Sequence, residues 1–245
     1  MPERMVTFRI TRYDAASGEP PQPQDFPVRV RKGMSVLEGL LEVQDRQDGS
    51  LALRYSCRGA VCGSCAMRVN GSVVLACRTQ MASLRRALVR IEPLPYLKVI
   101  KDLVVDLGPF FAKYEYIRPW LVPDGSLPER ERRVSEADSA KIDAYVNCIL
   151  CAACHGRCPV ARRTASYLSP APLAKAYRFI ADVRDTDTDR RLADLDSHDG
   201  VWGCDTVFNC VHVCPKGVPP THGICAVRRR IVARPFKRLF GLERG

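Results

Sequence analysis

The stretch Cys148-Ile149-Leu150-Cys151-Ala152-Ala153-Cys154-His155-Gly156-Arg157-Cys158-Pro159 leaves this chain little freedom in what it can become. Cysteines at intervals of three, three and four residues, closed by proline, have the spacing with which a loop wraps thiolates around an iron-sulfur cluster. Where two clusters share a domain, each run gives three cysteines to its own cluster and lends the fourth to the other. A second run is therefore expected downstream, and residues 204–215 supply it in altered form. Cys204, Val207, Cys210, Cys214 and Pro215 keep the spacing, but valine stands where the second cysteine belongs.

The shared-ligand rule assigns Cys148, Cys151, Cys154 and Cys214 to a [4Fe-4S] cluster. Cys158, Cys204 and Cys210 remain for the other, with Val207 at its fourth corner. A valine side chain cannot ligate iron, so that corner should lack its metal and the site should hold [3Fe-4S]. Upstream, Cys57-Arg58-Gly59-Ala60-Val61-Cys62-Gly63-Ser64-Cys65 and the later Cys77 have the plant-type [2Fe-2S] spacing. Small residues let that loop turn backbone N–H groups toward sulfur. Asn70-Gly71 marks a tight hairpin that folds Cys77 back toward the others. A zinc site would favour two close cysteine pairs instead. Cys225 is left over; a packed free thiol is its expected role, with an approach to the second cluster as the competing reading.

Cysteines clustered at short intervals point to metal, not disulfides. No stretch approaches the roughly 18 apolar residues that cross a bilayer, and Met1-Pro2-Glu3-Arg4-Met5 lacks the apolar segment of a secretory leader. The chain thus reads as facing the cytosol. Its net charge of +11 concentrates near the end, where Arg228, Arg229, Arg230, Arg234, Lys237, Arg238 and Arg244 face one acid, Glu243. No aromatic-interleaved platform or helix-turn-helix pattern accompanies these residues, so nucleic acid is not the expected partner. An anionic lipid surface or the rim of a membrane partner fits them, as does a solvated tail.

Val6-Thr7-Phe8-Arg9-Ile10 alternates as a half-buried strand. A Pro-rich connection over 20–27 and a second strand over 28–30 complete a hairpin. Ser35-Val36-Leu37-Glu38 is a capping box that opens a helix. A closing strand is expected over 89–91. Apolar residues at helical intervals follow over 97–107, then a Pro-rich and charged connection over 117–135 with Pro119, Pro123 and Pro128. Ser135 should cap a helix reaching Asn147. Pro172 should sit in the first turn of another, with Leu173, Tyr177, Ile180 and Val183 on one side. The charged stretch 182–196 reads as a solvated face. His155, His198, His212 and His222 form no triad or ligand pattern. The domain boundary is expected near 105, giving domains 1–105 and 106–245.

This arrangement resembles the iron-sulfur subunit of succinate dehydrogenase and fumarate reductase. Its marks are Cys57 through Cys65, Cys148 through Pro159, Tyr177-Arg178-Phe179-Ile180 with Asp182 and Arg184-Asp185, and Cys204 through Gly217. The resemblance implies an α+β chain: an N-terminal β-grasp domain of plant-type [2Fe-2S] ferredoxin form, then a mainly α-helical domain of the bacterial two-cluster type. It implies a flavoprotein partner that interconverts succinate and fumarate at FAD. Electrons would pass through [2Fe-2S], [4Fe-4S] and [3Fe-4S] to quinone at one or more membrane-anchor subunits, with or without haem b. The location implied is peripheral, on the cytoplasmic face of the inner membrane.

At the quinone end the chain departs from ubiquinone-linked members. Those carry tryptophan shortly after the first Cys-Pro and histidine after the first cysteine of the altered run. Val160-Ala161-Arg162-Arg163 and Asp205 stand there instead, while Pro159 matches and Arg228 falls where relatives have a quinone-facing lysine. Asp199-Gly200-Val201-Trp202-Gly203-Cys204 resembles the fumarate reductase branch, which favours menaquinone. Pro159, Asp205 and Arg228 are the quinone-proximal candidates. The alternative to a fixed complex is a free-standing multi-cluster carrier.

Overall fold

A computed structural model describes residues 4–125 and 129–239, the last five as backbone only. Met1, Pro2, Glu3, Pro128, Glu243 and Arg244 of the sequence reading lie outside the described residues, as do the side chains of Lys237 and Arg238. Close contacts divide the chain into two compact units. Met1–Leu107 with Ile149–Arg157 forms one, and Gly108–Cys148 with Cys158–Gly245 the other.

The first unit is built on a five-stranded sheet. Strands β1 (Arg4–Arg12), β2 (Gln22–Val30), β3 (Ala66–Val69), β4 (Ser72–Leu75) and β5 (Leu88–Glu92) take the order β2-β1-β5-β3-β4. β1 and β5 run parallel and the other pairs antiparallel. Alternation of the strands buries Val6, Phe8 and Ile10 of β1, Val28 of β2, and Val89 and Ile91 of β5. Helix α1 (Val36–Arg46) covers that face with Val36, Leu37, Leu40 and Val43. Full burial stabilises by about 1.5–3 kcal/mol for each such side chain. The capping box is complete: the Glu38 N–H donates to the Ser35 hydroxyl, and the Ser35 N–H donates to the Glu38 carboxylate at 2.7 Å. A short helix α2 (Met81–Leu84) leads into β5.

Two expectations need correction here. The second strand begins at Gln22, so it takes in most of the stretch read as a Pro-rich loop. β2 is an edge strand, and Pro23 and Pro27 pair with Thr11 and Thr7, four residues apart on the same side of the ladder. Prolines whose missing N–H groups face outward from an edge remove no ladder bond. Residues 97–107 form no helix; they fold into β6 (Val99–Lys101) and β7 (Val104–Val105). Asp102 turns the chain with φ 45°. Its buried carboxylate accepts from Arg12 Nε at 3.0 Å, the Tyr13 N–H at 3.0 Å and the Ala52 N–H at 2.8 Å. Those three bonds favour the tight turn over a helix.

The second unit is helical: α3 (Gly108–Tyr116), α4 (Glu136–Val146), α5 (Pro159–Arg163), α6 (Pro170–Ile180), α7 (Thr188–Leu195), a 3-10 turn Val201–Gly203, α8 (Asn209–His212) and α9 (Pro220–Leu239). Ser135 caps α4 by accepting the Asp138 N–H. α6 begins at Pro170, which places Pro172 in its first turn as expected, and closes at Ala181, which leaves Val183 exposed beyond its end. Its Leu173, Ala176, Phe179 and Ile180 pack with Ile224 and Val227 of α9.

The stretch 182–196 is not a solvated face. Asp182, Asp185 and Arg191 are buried. Arg191 grips Asp185 through two bonds, at 3.0 and 2.8 Å, and donates to the carbonyls of Ile117, Arg118 and Trp120. Arg118 pairs with Asp187 and Asp194, and Asp185 accepts the Val122 N–H at 3.0 Å. The irregular connection after α3 is thus pinned by charges that composition alone assigns to the surface.

Candidate iron-sulfur centres

The loop between α1 and β3 is shaped around the sulfur of Cys57. That sulfur accepts the N–H groups of Gly59, Val61 and Cys62 at 3.4, 3.3 and 3.2 Å. Left-handed backbone at Arg58, Ala60 and Gly63 turns those groups inward. Asn70 (φ 49°) and Gly71 (φ 84°) make the hairpin turn, and pairing of Ala66 with Leu75 brings the flanking cysteines together. The Cys77 N–H then reaches the Cys65 sulfur at 3.5 Å. Burial opposes ionisation of Cys62, but hydrogen bonds from Ser64 and from the Cys57–Cys62 turn outweigh it and lower its thiol to about 6. Burial pushes Cys65 up to about 12, and ligation by iron is what would deprotonate it.

Gly63 (φ +75°) has a second constraint. A Cβ there would lie 2.7 Å from the Cys151 Cβ and 2.9 Å from its Cα, backbone that cannot swing aside. Gly63→Ala is therefore expected to lower the melting temperature, with a loss of about 1–3 kcal/mol. An unchanged melting curve would contradict the close approach.

The four cysteines read as the [4Fe-4S] set divide by surroundings. Cys148 and Cys214 pack against one cluster of Tyr145, Ala174 and Val218. Cys151, with Ile149, packs against the sheet core of the first unit, to which Cys154 also belongs. His155 is buried, with Nε2 3.1 Å from the Tyr96 carbonyl, a satisfied role.

In the run starting at Cys148, Leu150 (φ 52°) and Ala152 (φ 57°) are left-handed, two and four residues after the first cysteine. In the run starting at Cys204, Thr206 (φ 58°) and Phe208 (φ 59°) repeat those offsets. Such a conformation costs a non-glycine residue roughly 1–2 kcal/mol and is uncommon for threonine or phenylalanine. The altered run keeps the strained backbone of its intact counterpart although Val207 has replaced cysteine.

Cys158, Cys204 and Cys210 line one cavity together with Pro159, Tyr167, Val207 and Thr221. The Thr206 N–H donates to the Cys204 sulfur at 3.4 Å, and Thr221 Oγ1 lies 3.0 Å from the Cys210 sulfur. Burial pushes the Cys158 and Cys210 thiols up, partly offset by hydrogen bonds from the Val160 and Ala161 backbone and from Thr221. Three thiols and an apolar fourth corner fit a cluster with one iron missing. Cys225, on α9, is not among the residues lining this cavity. Among the described residues, no three His, Cys, Asp or Glu side chains gather on a point suited to a single ion.

Of the quinone-proximal candidates, Pro159 and Asp205 line the cavity. Asp205 pairs with Arg163. Arg228 donates to the carbonyls of Val201 and Cys204 and to the Thr206 hydroxyl, and its guanidinium lies 5.5 Å from the Trp202 ring centre. The sequence motifs did not point to Tyr167 and Thr221, because neither lies within a cysteine run. Tyr167 carries the one buried hydroxyl without a nitrogen or oxygen partner among the described residues; burial first, then the neighbouring Cys204 and Cys158 and a hydrogen bond with Cys204, push its ionisation upward.

Residues 7–112 match the 2Fe-2S iron-sulfur cluster binding domain family, and residues 144–218 the 4Fe-4S dicluster domain family. The chain is 38% identical over 229 residues to the succinate dehydrogenase iron-sulfur subunit of Paracoccus denitrificans, covering 93% of this chain and 88% of that one. It is 40% identical over 228 residues to the mitochondrial succinate dehydrogenase [ubiquinone] iron-sulfur subunit 1 of Oryza sativa subsp. japonica, covering 91% and 81%. A chain of the Mycobacterium smegmatis Sdh1 complex in the apo form superposes with a TM-score of 0.86 at 26% identity, covering 96% of this chain and 98% of that one. With its α+β architecture of a 2Fe-2S ferredoxin domain followed by a 4Fe-4S dicluster domain, this chain belongs to the family of succinate dehydrogenase iron-sulfur subunits.

Proposed function

We propose that this chain is the electron-carrying subunit of a membrane-bound succinate:quinone oxidoreductase, linking FAD in a flavoprotein partner to quinone at a membrane-anchor partner. The observation that carries the proposal is the three-cysteine cavity with Val207 at its fourth corner, in a chain that also holds a complete plant-type loop. Cys57, Cys62, Cys65 and Cys77 hold [2Fe-2S] in domain 1–105. Cys148, Cys151, Cys154 and Cys214 hold [4Fe-4S], and Cys158, Cys204 and Cys210 hold [3Fe-4S], in domain 106–245. Bound clusters supply one-electron transfer at potentials set by cluster type, charge, hydrogen bonds to sulfur and exposure. The chain's own residues hold thiolates in place and aim N–H groups at them; acid-base chemistry on the dicarboxylate belongs to the flavoprotein.

Among the described residues no helix is long and apolar enough to cross a membrane. Attachment through an anchor partner, on the cytoplasmic face, is the arrangement we infer. The quinone we assign is menaquinone, with fumarate reduction as the working direction. Support comes from Asp205, which stands where ubiquinone-linked members carry histidine and pairs with Arg163, and from Val160-Ala161-Arg162-Arg163, the stretch in which those members carry tryptophan. Gentle purification from membranes is expected to yield the chain with a flavoprotein and an anchor, and quinone-linked turnover faster with a menaquinone analogue than with a ubiquinone analogue. A chain that purifies alone, as a soluble carrier, would overturn the complex; faster ubiquinone turnover would overturn the quinone assignment.

A further inference from the structure

Two buried hydroxyl groups face the three-cysteine cavity from its protein side. Tyr167 and Thr221 are each 1% exposed, and both line the space that Cys158, Cys204 and Cys210 surround. The Tyr167 ring is held in place by neighbours: a Cβ on Gly203 would fall 2.9 Å from its Cδ2, and the ring packs within the core of the helical unit. Among the described residues its hydroxyl has no nitrogen or oxygen partner, and the acceptor beside it is the Cys204 sulfur. Buried hydroxyls are nearly always bonded, so this one is aimed at sulfur, that of Cys204 or of a cluster filling the cavity. Thr221 Oγ1 lies 3.0 Å from the Cys210 sulfur, and beside a thiolate the hydroxyl is the donor.

We propose that the Tyr167 and Thr221 hydroxyls donate hydrogen bonds to the sulfurs of the cluster held by Cys158, Cys204 and Cys210, and thereby raise its reduction potential. This rests on the three-cysteine reading of that centre. Reduction adds one electron to a group that thiolates already make negative, so a fixed donor stabilises the reduced state more than the oxidised one. Val207 also lines the cavity; it is 49% exposed and its side chain offers no donor. The two hydroxyls therefore give this centre a built-in bias toward accepting the electron, and neither exchanges a proton in doing so.

The test is a redox titration of the membrane-bound complex followed by low-temperature EPR. Tyr167→Phe keeps the ring and Thr221→Val keeps the shape. Each variant is expected to retain the three-iron signal at full amplitude and to lower its midpoint, with a change of about tenfold in the reduction equilibrium, or about 59 mV for a one-electron couple. The other two centres should not move. An intact signal with an unchanged midpoint in both variants overturns the proposal. Should Tyr167→Phe fail to assemble the cluster, Thr221→Val against Thr221→Ser decides, since serine keeps the hydroxyl; equal midpoints for that pair overturn it. A native complex without any three-iron signal would instead overturn the cluster assignment beneath it.

Discussion

Replacing Arg191 by alanine is expected to cost the helical unit about 3–5 kcal/mol. Asp185 and Arg191 have side chains 0% and 1% exposed, so removing one partner strands the other charge out of water. Arg191 also satisfies the carbonyls of Ile117, Arg118 and Trp120, which would lose their donor at the same time. For a chain of this size the melting temperature should fall by roughly 10 °C. The double change Arg191→Met with Asp185→Asn should recover part of that loss, because no bare charge remains buried. A single-variant shift within 1–2 °C would show that water reaches the pair and that the connection at 117–122 is held by other means.

Val207→Cys is expected to change the third centre from three irons to four. The side chain at 207 already lines the cavity, and the left-handed residues on either side of it match those around Cys151 in the intact run. A thiolate introduced there needs no new backbone conformation. Cluster charge and ligand set would both change, and with them the potential of the centre proposed to pass electrons to quinone. Quinone-linked turnover should drop on the order of tenfold, a rise of about 1.4 kcal/mol in the limiting barrier, while dicarboxylate turnover with an artificial electron acceptor stays near normal. Unchanged cluster content in the variant would count against the corner assignment.

The two ferredoxin-type domains were legible because cysteine spacing is a local property: cysteines in each run are close in sequence, and no long-range pairing is needed to see them. The same holds for the Ser35 and Ser135 caps and for the Asn70-Gly71 turn, each specified by residues within one turn of chain. Prolines at 23 and 27 misled because their cost depends on whether a strand is central or at an edge, which only the sheet order decides. Residues 97–107 misled because a helical apolar interval says nothing of Asp102, whose carboxylate is claimed by residues far upstream. Charges at 182–196 looked like surface because a buried pair and an exposed one have the same composition.

Around the third centre, what escaped the sequence is of two kinds. The left-handed turns at Leu150, Ala152, Thr206 and Phe208 fall on residues that carry no glycine signature, so nothing in their identity announces them. Tyr167, Thr221 and Arg228 reach the cavity or its loop from α9 and from the segment between α5 and α6, and tertiary packing alone unites them. Arg228 in particular, aligned by sequence with a quinone-facing residue, spends its guanidinium on the carbonyls of the Cys204 loop.

The central claim is that the cysteine missing at 207 sets the third cluster apart from the second. Low-temperature EPR of the complex, purified gently from membranes and measured both oxidised and reduced, tests it most directly. The account predicts a three-iron signal in the oxidised protein, with one [2Fe-2S] and one [4Fe-4S] signal appearing on reduction. No oxidised three-iron signal, with a second [4Fe-4S] signal in its place on reduction, would contradict it and point to Cys225 as the fourth ligand.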